Sequence, residues 1–410
     1  MTPRQVLLGV ALILGLALPV RAGHPLEPLA LLAVGTLAMD AEIPALDLHP
    51  AHPPLAAWAE DGRLGLGRLE IRSPAVPPTT EPESELTSAS SSATPGPRTV
   101  SWVPESFPGP LEGRLQEIAF AGAAASPWLV TLESMPRATV LVARSPEASR
   151  SFILQRSPGN LERLTTAWRS SPSGHAMAAL WRVMLGPRRN VLATRAWTAA
   201  GAERLRWLPH GESVPEQPVL APYGDDGWLA SWREEPSGQV GRVLAATWRE
   251  GQPLPRIVPL ASGPYLLGPI LLATFPRPLI GWQGPDPLGH QIHARWADPP
   301  TPRPHPDLRT DLSAEGPDLV KVSSDGRGRL LVAWSQKTGP ETSETALMAR
   351  VHGHTGAAVG PPVLLEVADE EVRPLAVIRG QQDTWWVGWG RRETAGWTLR
   401  VAHLGEDQRP

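Results

Sequence analysis

The residues best suited to chemistry are two acid pairs and two histidine pairs. Asp225-Asp226 precedes an apolar stretch and Glu234-Glu235 follows it, some nine residues further on. On one strand that is roughly 30 Å, whereas the carboxylate dyads that cleave glycosidic bonds lie within about 5 to 10 Å of each other. Neither pair completes such a dyad with the other, although either could meet acids from elsewhere; the plainer reading is solvated turns. His352 and His354 could share a strand face as metal ligands, but Val351 to Gly356 falls where a hairpin turn is expected, and no third ligand is visible. His290 and His293 have opposite parity on a strand and should diverge. Gly62, Gly65 and Gly67 sit in a turn and strand, where a dinucleotide loop needs a following helix. Gly-x-Ser-x-Gly, His-Glu-x-x-His and phosphate-loop motifs are missing. No catalytic residue, metal site or cofactor is therefore assigned from the sequence, and the binding residues stay open.

Tryptophan is the other candidate for recognition. The chain has 17 Trp beside 2 Tyr and 4 Phe, so indoles either pack at repeated core positions or are displayed to a ligand. Their spacing favours the first. Apolar strings ending in Trp recur at Trp58, Trp181, Trp232, Trp282, Trp334 and Trp389, with Leu132 closing a matching string. From Leu132 onward the intervals are 49, 51, 50, 52 and 55 residues. The first interval, 74, contains Ser/Thr/Pro-rich residues 74–98, expected to be a disordered surface insertion between two strands of one unit. Without those 25 residues it returns to 49. Only Trp102, Trp168, Trp207 and Trp397 fall outside the repeated places, so any displayed indole is sought among these four.

These strings predict strands apolar on both faces, hence sandwiched between layers. Mostly small residues one place before the end of the string (Ala57, Thr131, Ser231, Gly281, Ala333, Gly388, with Leu180 departing) predict sheets that pack closely. A second strand follows each string, such as Val243–Trp248 or Thr398–His403; a third closes each unit and a further one opens it, such as Arg373–Ile378. The fold class expected is all-β, a seven-bladed β-propeller of four-stranded antiparallel blades spanning 23–410 as one domain. The last unit has only three strands, and the segment Pro28–Leu37 is expected to supply the fourth and close the ring.

Val320-Lys-Val-Ser-Ser-Asp-Gly-Arg-Gly-Arg-Leu-Leu-Val-Ala-Trp334 and the following Ala346-Leu-Met-Ala-Arg-Val351 resemble the degenerate Leu-Val-Ala-Trp propeller repeats of exported bacterial proteins, sialidase-like or kelch-like in style. The resemblance covers about 28–410 and implies a blade, not an activity. Ser323-Ser-Asp325-Gly-Arg327 departs from the Asp-box turn of sialidase-like blades at its glycine, and the kelch double glycine and the Trp-Asp dipeptide are missing.

Residues 1–22, with Arg4, an apolar run from Val6 and Val20-Arg21-Ala22, read as a cleaved signal peptide, which places the protein outside the cytoplasm, secreted or periplasmic. The run is about 15 residues, short of the roughly 20 a spanning helix needs, so no membrane insertion is expected after cleavage. No Cys is present, so stability must come from core burial. A formal charge of -3 gives no case for a nucleic-acid partner. Lys321 and Lys337 are the only lysines among 38 basic residues, which reads as the coding bias of a GC-rich genome. The function expected is non-enzymatic binding of a protein or polysaccharide ligand at a channel mouth. The alternative, a carbohydrate-active hydrolase or lyase, requires acids and arginines such as Arg233 or Arg373 to converge there.

Overall fold

The computed structural model describes residues 29–41, 45–60, 63–72, 98–105, 111–123, 127–145, 150–171, 174–186, 189–208, 213–235, 240–249, 252, 256–273, 278–286, 289–296, 303–304, 310–311, 319–325, 329–339, 342–353, 357–381 and 383–406. The segment read as a signal peptide, and the insertion apart from Arg98, lie outside the described residues.

Strand β1 (Leu29–Ala41) stands first. The first unit is β2 (Leu46–His49), β3 (Leu55–Glu60), β4 (Arg63–Arg72) and β5 (Arg98–Pro104). The next is β6 (Arg114–Ala121), β7 (Trp128–Met135), β8 (Ala138–Arg144) and β9 (Ser151–Ser157). Then come β10 (Leu161–Ser171), β11 (Gly174–Gly186) and β12 (Arg189–Thr198), whose free edge is met by β13 (Gly201–Ala202) and β14 (Arg206–Leu208). The following unit is β15 (Glu216–Tyr223), β16 (Gly227–Glu234), β17 (Gly241–Arg249) and β18 (Arg256–Gly263). After it, β19 (Leu267–Ala273), β20 (Leu279–Asp286) and β21 (Gly289–Trp296) are finished by β22 (Arg303–Pro304) and β23 (Thr310–Asp311). Next are β24 (Leu319–Ser324), β25 (Leu330–Lys337), β26 (Thr345–His352) and β27 (Ala358–Ala368), and finally β28 (Val372–Arg379), β29 (Trp385–Arg392) and β30 (Trp397–Glu406).

Each unit pairs antiparallel in chain order, and the whole is a β-propeller of such sheets. The first strands touch in sequence, β2 with β6, β6 with β10, β10 with β15, β15 with β19, β19 with β24, β24 with β28, and β28 again with β2. Strand β1 pairs antiparallel with β30 from Leu29↔Glu406 to Ala41↔Trp397, and its other edge meets β5 in parallel at Ala33↔Arg98 and Val34↔Thr99. Arg98, placed at the end of the insertion by composition, is thus already the first residue of a strand. β4 and β5, on either side of residues 73–97, are hydrogen-bonded neighbours.

Every Trp-ending string is a second strand, and its indole is buried because both faces of that strand meet other sheets. Each indole removes roughly 150 to 250 Å² from water, worth several kcal/mol at about 25 cal/mol per Å². The polar edge of the indole needs an acceptor. Trp232 Nε1 donates to Glu234 Oε1 (2.8 Å) and Trp334 Nε1 to Gln336 Oε1 (2.8 Å), each two residues on. Trp181 and Trp389 instead reach Gln155 (2.6 Å) and Glu366 (3.4 Å) on the fourth strand of the preceding unit, tying sheet to sheet. The small residues before the Trp do what close packing demands. A Cβ on Gly388 would lie 2.6 Å from a methyl of Leu46 in the neighbouring unit, so a side chain there would have to push Leu46 aside for β29 to approach β2 this closely. Gly65 serves within a sheet: a Cβ there would lie 2.2 Å from the ring of Trp58.

Candidate functional site

The first strands wall a central channel. Unlike the second strands, most carry an irregularity at one level. Register shifts fall between Leu115 and Glu117 in β6, Glu162 and Thr165 in β10, Glu216 and Val219 in β15, Leu267 and Ile270 in β19, and Pro374 and Ala376 in β28. Arg163 (φ 61°) and Gln217 (φ 49°) are non-glycine residues in the left-handed region, and Gly268 (φ 105°) takes the same place in β19. For the first two this costs on the order of 1 to 3 kcal/mol each. Strand β24 is regular through this level.

A bulge frees backbone N–H groups from the ladder, and buried donors must be satisfied elsewhere. Side chains of the preceding sheet supply the acceptors. Glu117 takes the N–H of Arg163 (2.8 Å) and of Leu164 (2.7 Å), and Gln217 takes that of Gly268 (2.8 Å). Asp47 accepts from Phe120 N (2.7 Å) in the next sheet and from Leu48 N (2.9 Å) beside it. These groups clasp one first strand to the next, so the channel carboxylates are already engaged with backbone.

The lumen has two connected parts, of about 570 and 370 Å³, that share Leu46, Ile118, Leu164, Lys321 and Leu375. At this waist the walls are mainly aliphatic and Lys321, from regular β24, is the cation. Among the described residues no hydrogen bond or ion pair holds it. The Lys321 side chain is open to the water of the lumen, which is narrow here because Leu46, Ile118, Leu164 and Leu375 also line it. That confinement pushes the Lys321 ammonium below the usual lysine range, opposed by Asp47 and Glu117 and assisted by Arg163. The same confinement lifts the Asp47 carboxyl to about 6, against the pull of its two N–H donors and of Lys321. Burial raises Glu117 as well and lowers His49.

The smaller part opens beside Trp168, whose ring is 40% exposed and meets His175 edge-on at 5.6 Å, next to Thr165, Thr166 and His49. Of the four indoles outside the repeat, Trp168 and Trp207 are exposed, Trp102 packs edge-on against Trp58, and Trp397 is buried beneath Arg373 and Arg392. Only Trp168 borders the channel.

The other residues singled out from sequence lie elsewhere or do structural work. Asp225 and Asp226 occupy the exposed β15–β16 turn, where Asp226 meets Arg249 at 3.3 Å and the Asp225 carbonyl accepts from Arg169. Glu234, expected as a solvated turn acid, is 4% exposed, because it is the acceptor for the Trp232 indole and for Ser213 (3.2 Å). Arg233 is bound to Glu216 and Glu235, away from the lumen. Arg373 borders the larger part, but its guanidinium is bound to Glu371 and lies over Trp397. His352 is not a solvated turn residue: it ends β26 and is buried. His354 and Gly62 lie outside the described residues, as does the side chain of His290, while His293 stacks on Trp282 at 6.0 Å. Gly67 lies against Trp102. Sequence reasoning missed Asp47 and Glu117 and read Lys321 only as a matter of composition; their one signal was a charged residue within a first strand, flanked by apolar neighbours in Leu46-Asp-Leu48 and Val320-Lys-Val322.

No family model matches the chain, and no curated protein does. Among solved structures it is similar to a protein of unknown function from Dyadobacter fermentans (TM-score 0.44, 9% identity, 70% of this chain and 94% of that one). It is also similar to the sialidase of Trypanosoma rangeli in complex with the inhibitor DANA (TM-score 0.43, 8% identity, 74% and 56%). A third is the subtype N10 neuraminidase-like protein of A/little yellow-shouldered bat/Guatemala/060/2010 (TM-score 0.39, 9% identity, 93% and 100%). Each is a likeness of chain path at very low identity.

Proposed function

We propose that this chain is an exported, seven-bladed propeller, closed where β1 completes the last sheet, that binds the end of a polysaccharide chain in its central channel without turning it over. The cyclic contacts of the first strands and the β1–β30 pairing support the closed ring. The observation that carries the binding reading is Trp168, an open indole beside hydroxyl and imidazole groups at one mouth of the lumen. A flat apolar ring with polar neighbours suits the alternating faces of a sugar. The channel carboxylates are occupied by backbone N–H groups, and Arg233 and Arg373 are bound to glutamates, which speaks against a hydrolytic dyad.

One feature favours the carbohydrate-active alternative: the Asp47 carboxyl, lifted to about 6, holds a proton in the range useful to a general acid. A glycan panel over the immobilised protein tests both readings. Retention that Trp168→Ala reduces, with no new reducing ends released, is the expected result. Release of reducing ends that Asp47→Asn abolishes would establish the enzyme instead, and no retention of any glycan would end both.

A further inference from the structure

The channel reading leaves one group unexplained. Lys321 stands at the waist of the lumen, where neighbouring first strands place Leu46, Ile118, Leu164 and Leu375, and it makes no hydrogen bond or ion pair among the described residues. A lysine kept to neutralise carboxylates would be paired with them. Asp47 and Glu117 are instead satisfied by backbone N–H groups. Charge alone is supplied elsewhere in this chain by arginine, since only two of its 38 basic residues are lysine. Arginine keeps its proton at any ordinary pH, whereas an amine in a confined site can lose it and become a nucleophile.

We propose that Lys321 captures a carbonyl compound, an aldehyde or ketone small enough for the channel, as an imine. The Nζ lone pair forms the C–N bond while the C=O π electrons move to oxygen, which is protonated to a carbinolamine. That hydroxyl leaves as water, the nitrogen gives up its remaining proton, and the net change is amine plus carbonyl to imine plus water. Asp47, which lines the same part of the lumen, is the group placed to pass both protons. The groups facing Lys321 are Asp47 on β2, Glu117 on β6, Arg163 on β10 and Arg373 on β28. Confinement and Arg163 draw the ammonium below the usual lysine range against the pull of the two carboxyls, which favours the free amine relative to an open lysine. This deepens the reading of the channel as the binding site: the open-chain aldehyde at a reducing end is one carbonyl that fits it.

The chain carries its own control, because Lys337 is exposed at the end of β25. The intact protein is incubated with glycolaldehyde and cyanoborohydride from pH 6 to 10, and the alkylated lysines are quantified by peptide mass. Lys321 should be trapped at least roughly tenfold faster than Lys337 at pH 7, an advantage that closes toward pH 10. Equal or slower trapping of Lys321, with the pH dependence of Lys337, overturns the proposal. Parallel retention of borohydride-reduced oligosaccharides, which lack the aldehyde, separates the two readings. Retention without a Lys321 adduct removes the imine and leaves the binding site; an adduct without retention does the reverse. Lys321→Arg, which keeps the charge, should lose the adduct, and the wild-type comparison with Lys337 stands even where that variant fails to fold.

Discussion

Replacing Asp47 by Asn should make the protein more stable at neutral pH and change it little in acid. The carboxyl titrates near 3.8 when unconfined and near 6 in the channel. An acid whose folded value lies above its unfolded value holds its proton more tightly when folded. Its contribution to stability is therefore complete below about pH 4 and is lost as pH rises through about 6. A difference of about two units, at 1.36 kcal/mol each, sets a ceiling of about 3 kcal/mol; water in the channel brings the expected figure to about half of that. Neutral Asp and Asn each present a carbonyl oxygen to the Phe120 N–H, while the Asn amide gives up the short-range bond from Leu48 N, so the two proteins should come within about 1 kcal/mol of each other at pH 4. By pH 7.5 the variant should lead by roughly 1 to 2 kcal/mol. Urea unfolding at pH 4, 5, 6 and 7.5, with the difference in free energy plotted against pH, reads this directly. Glu117 and every other acid cancel in that difference. Parallel curves for the two proteins would refute the placing of Asp47 in a confined channel.

Gly65→Ala drives a methyl into the Trp58 ring and should cost about 1 to 3 kcal/mol in urea unfolding; Gly186→Ala, where nothing lies within 4 Å, should stay within about 0.5 kcal/mol of wild type. Glu133→Ala strips Arg144, buried with it at 2.7 Å, of its carboxylate and should cost about 3 to 5 kcal/mol; adding Arg144→Met should recover part of the loss. Trp168→Ala should leave unfolding within about 0.5 kcal/mol of wild type while lowering glycan retention several-fold. Deleting 29–41 uncovers the edge of β30, and light scattering should then show concentration-dependent self-association.

The strands were legible because the second strand of each described sheet is buried on both faces and is therefore mostly apolar, which makes its period visible along the chain. Trp58, Trp232 and Trp389 announce it. The channel was not legible, for a physical reason. A first strand has one face toward water, is in most units interrupted by a bulge, and carries unlike residues near its start, as Gln217, Gly268 and Lys321 show. No period links such residues; only the ring of neighbouring strands brings Asp47 and Lys321 to one lumen. Glu234 illustrates an intermediate case. Its place two residues after Trp232, matched by Gln336 after Trp334, is a readable spacing, but its meaning as an indole acceptor emerges only once the strand end is seen to be buried.

The pairing of β1 with β30 carries a cost in time. Val34 finds its partner Ala402 across 368 residues of chain, so that ladder cannot form until nearly the whole protein exists. At roughly 5 to 20 residues per second, the ribosome would hold β1 without its partner for on the order of 20 to 70 s. During that wait a thirteen-residue strand containing Leu29, Leu31, Leu32 and Leu37 is free to join any other unpaired edge. Its closing step is the slowest that topology permits. The strand that finishes the last sheet is thus also one whose longer edge stays unpaired, beyond its short contact with β5, until the others have been made.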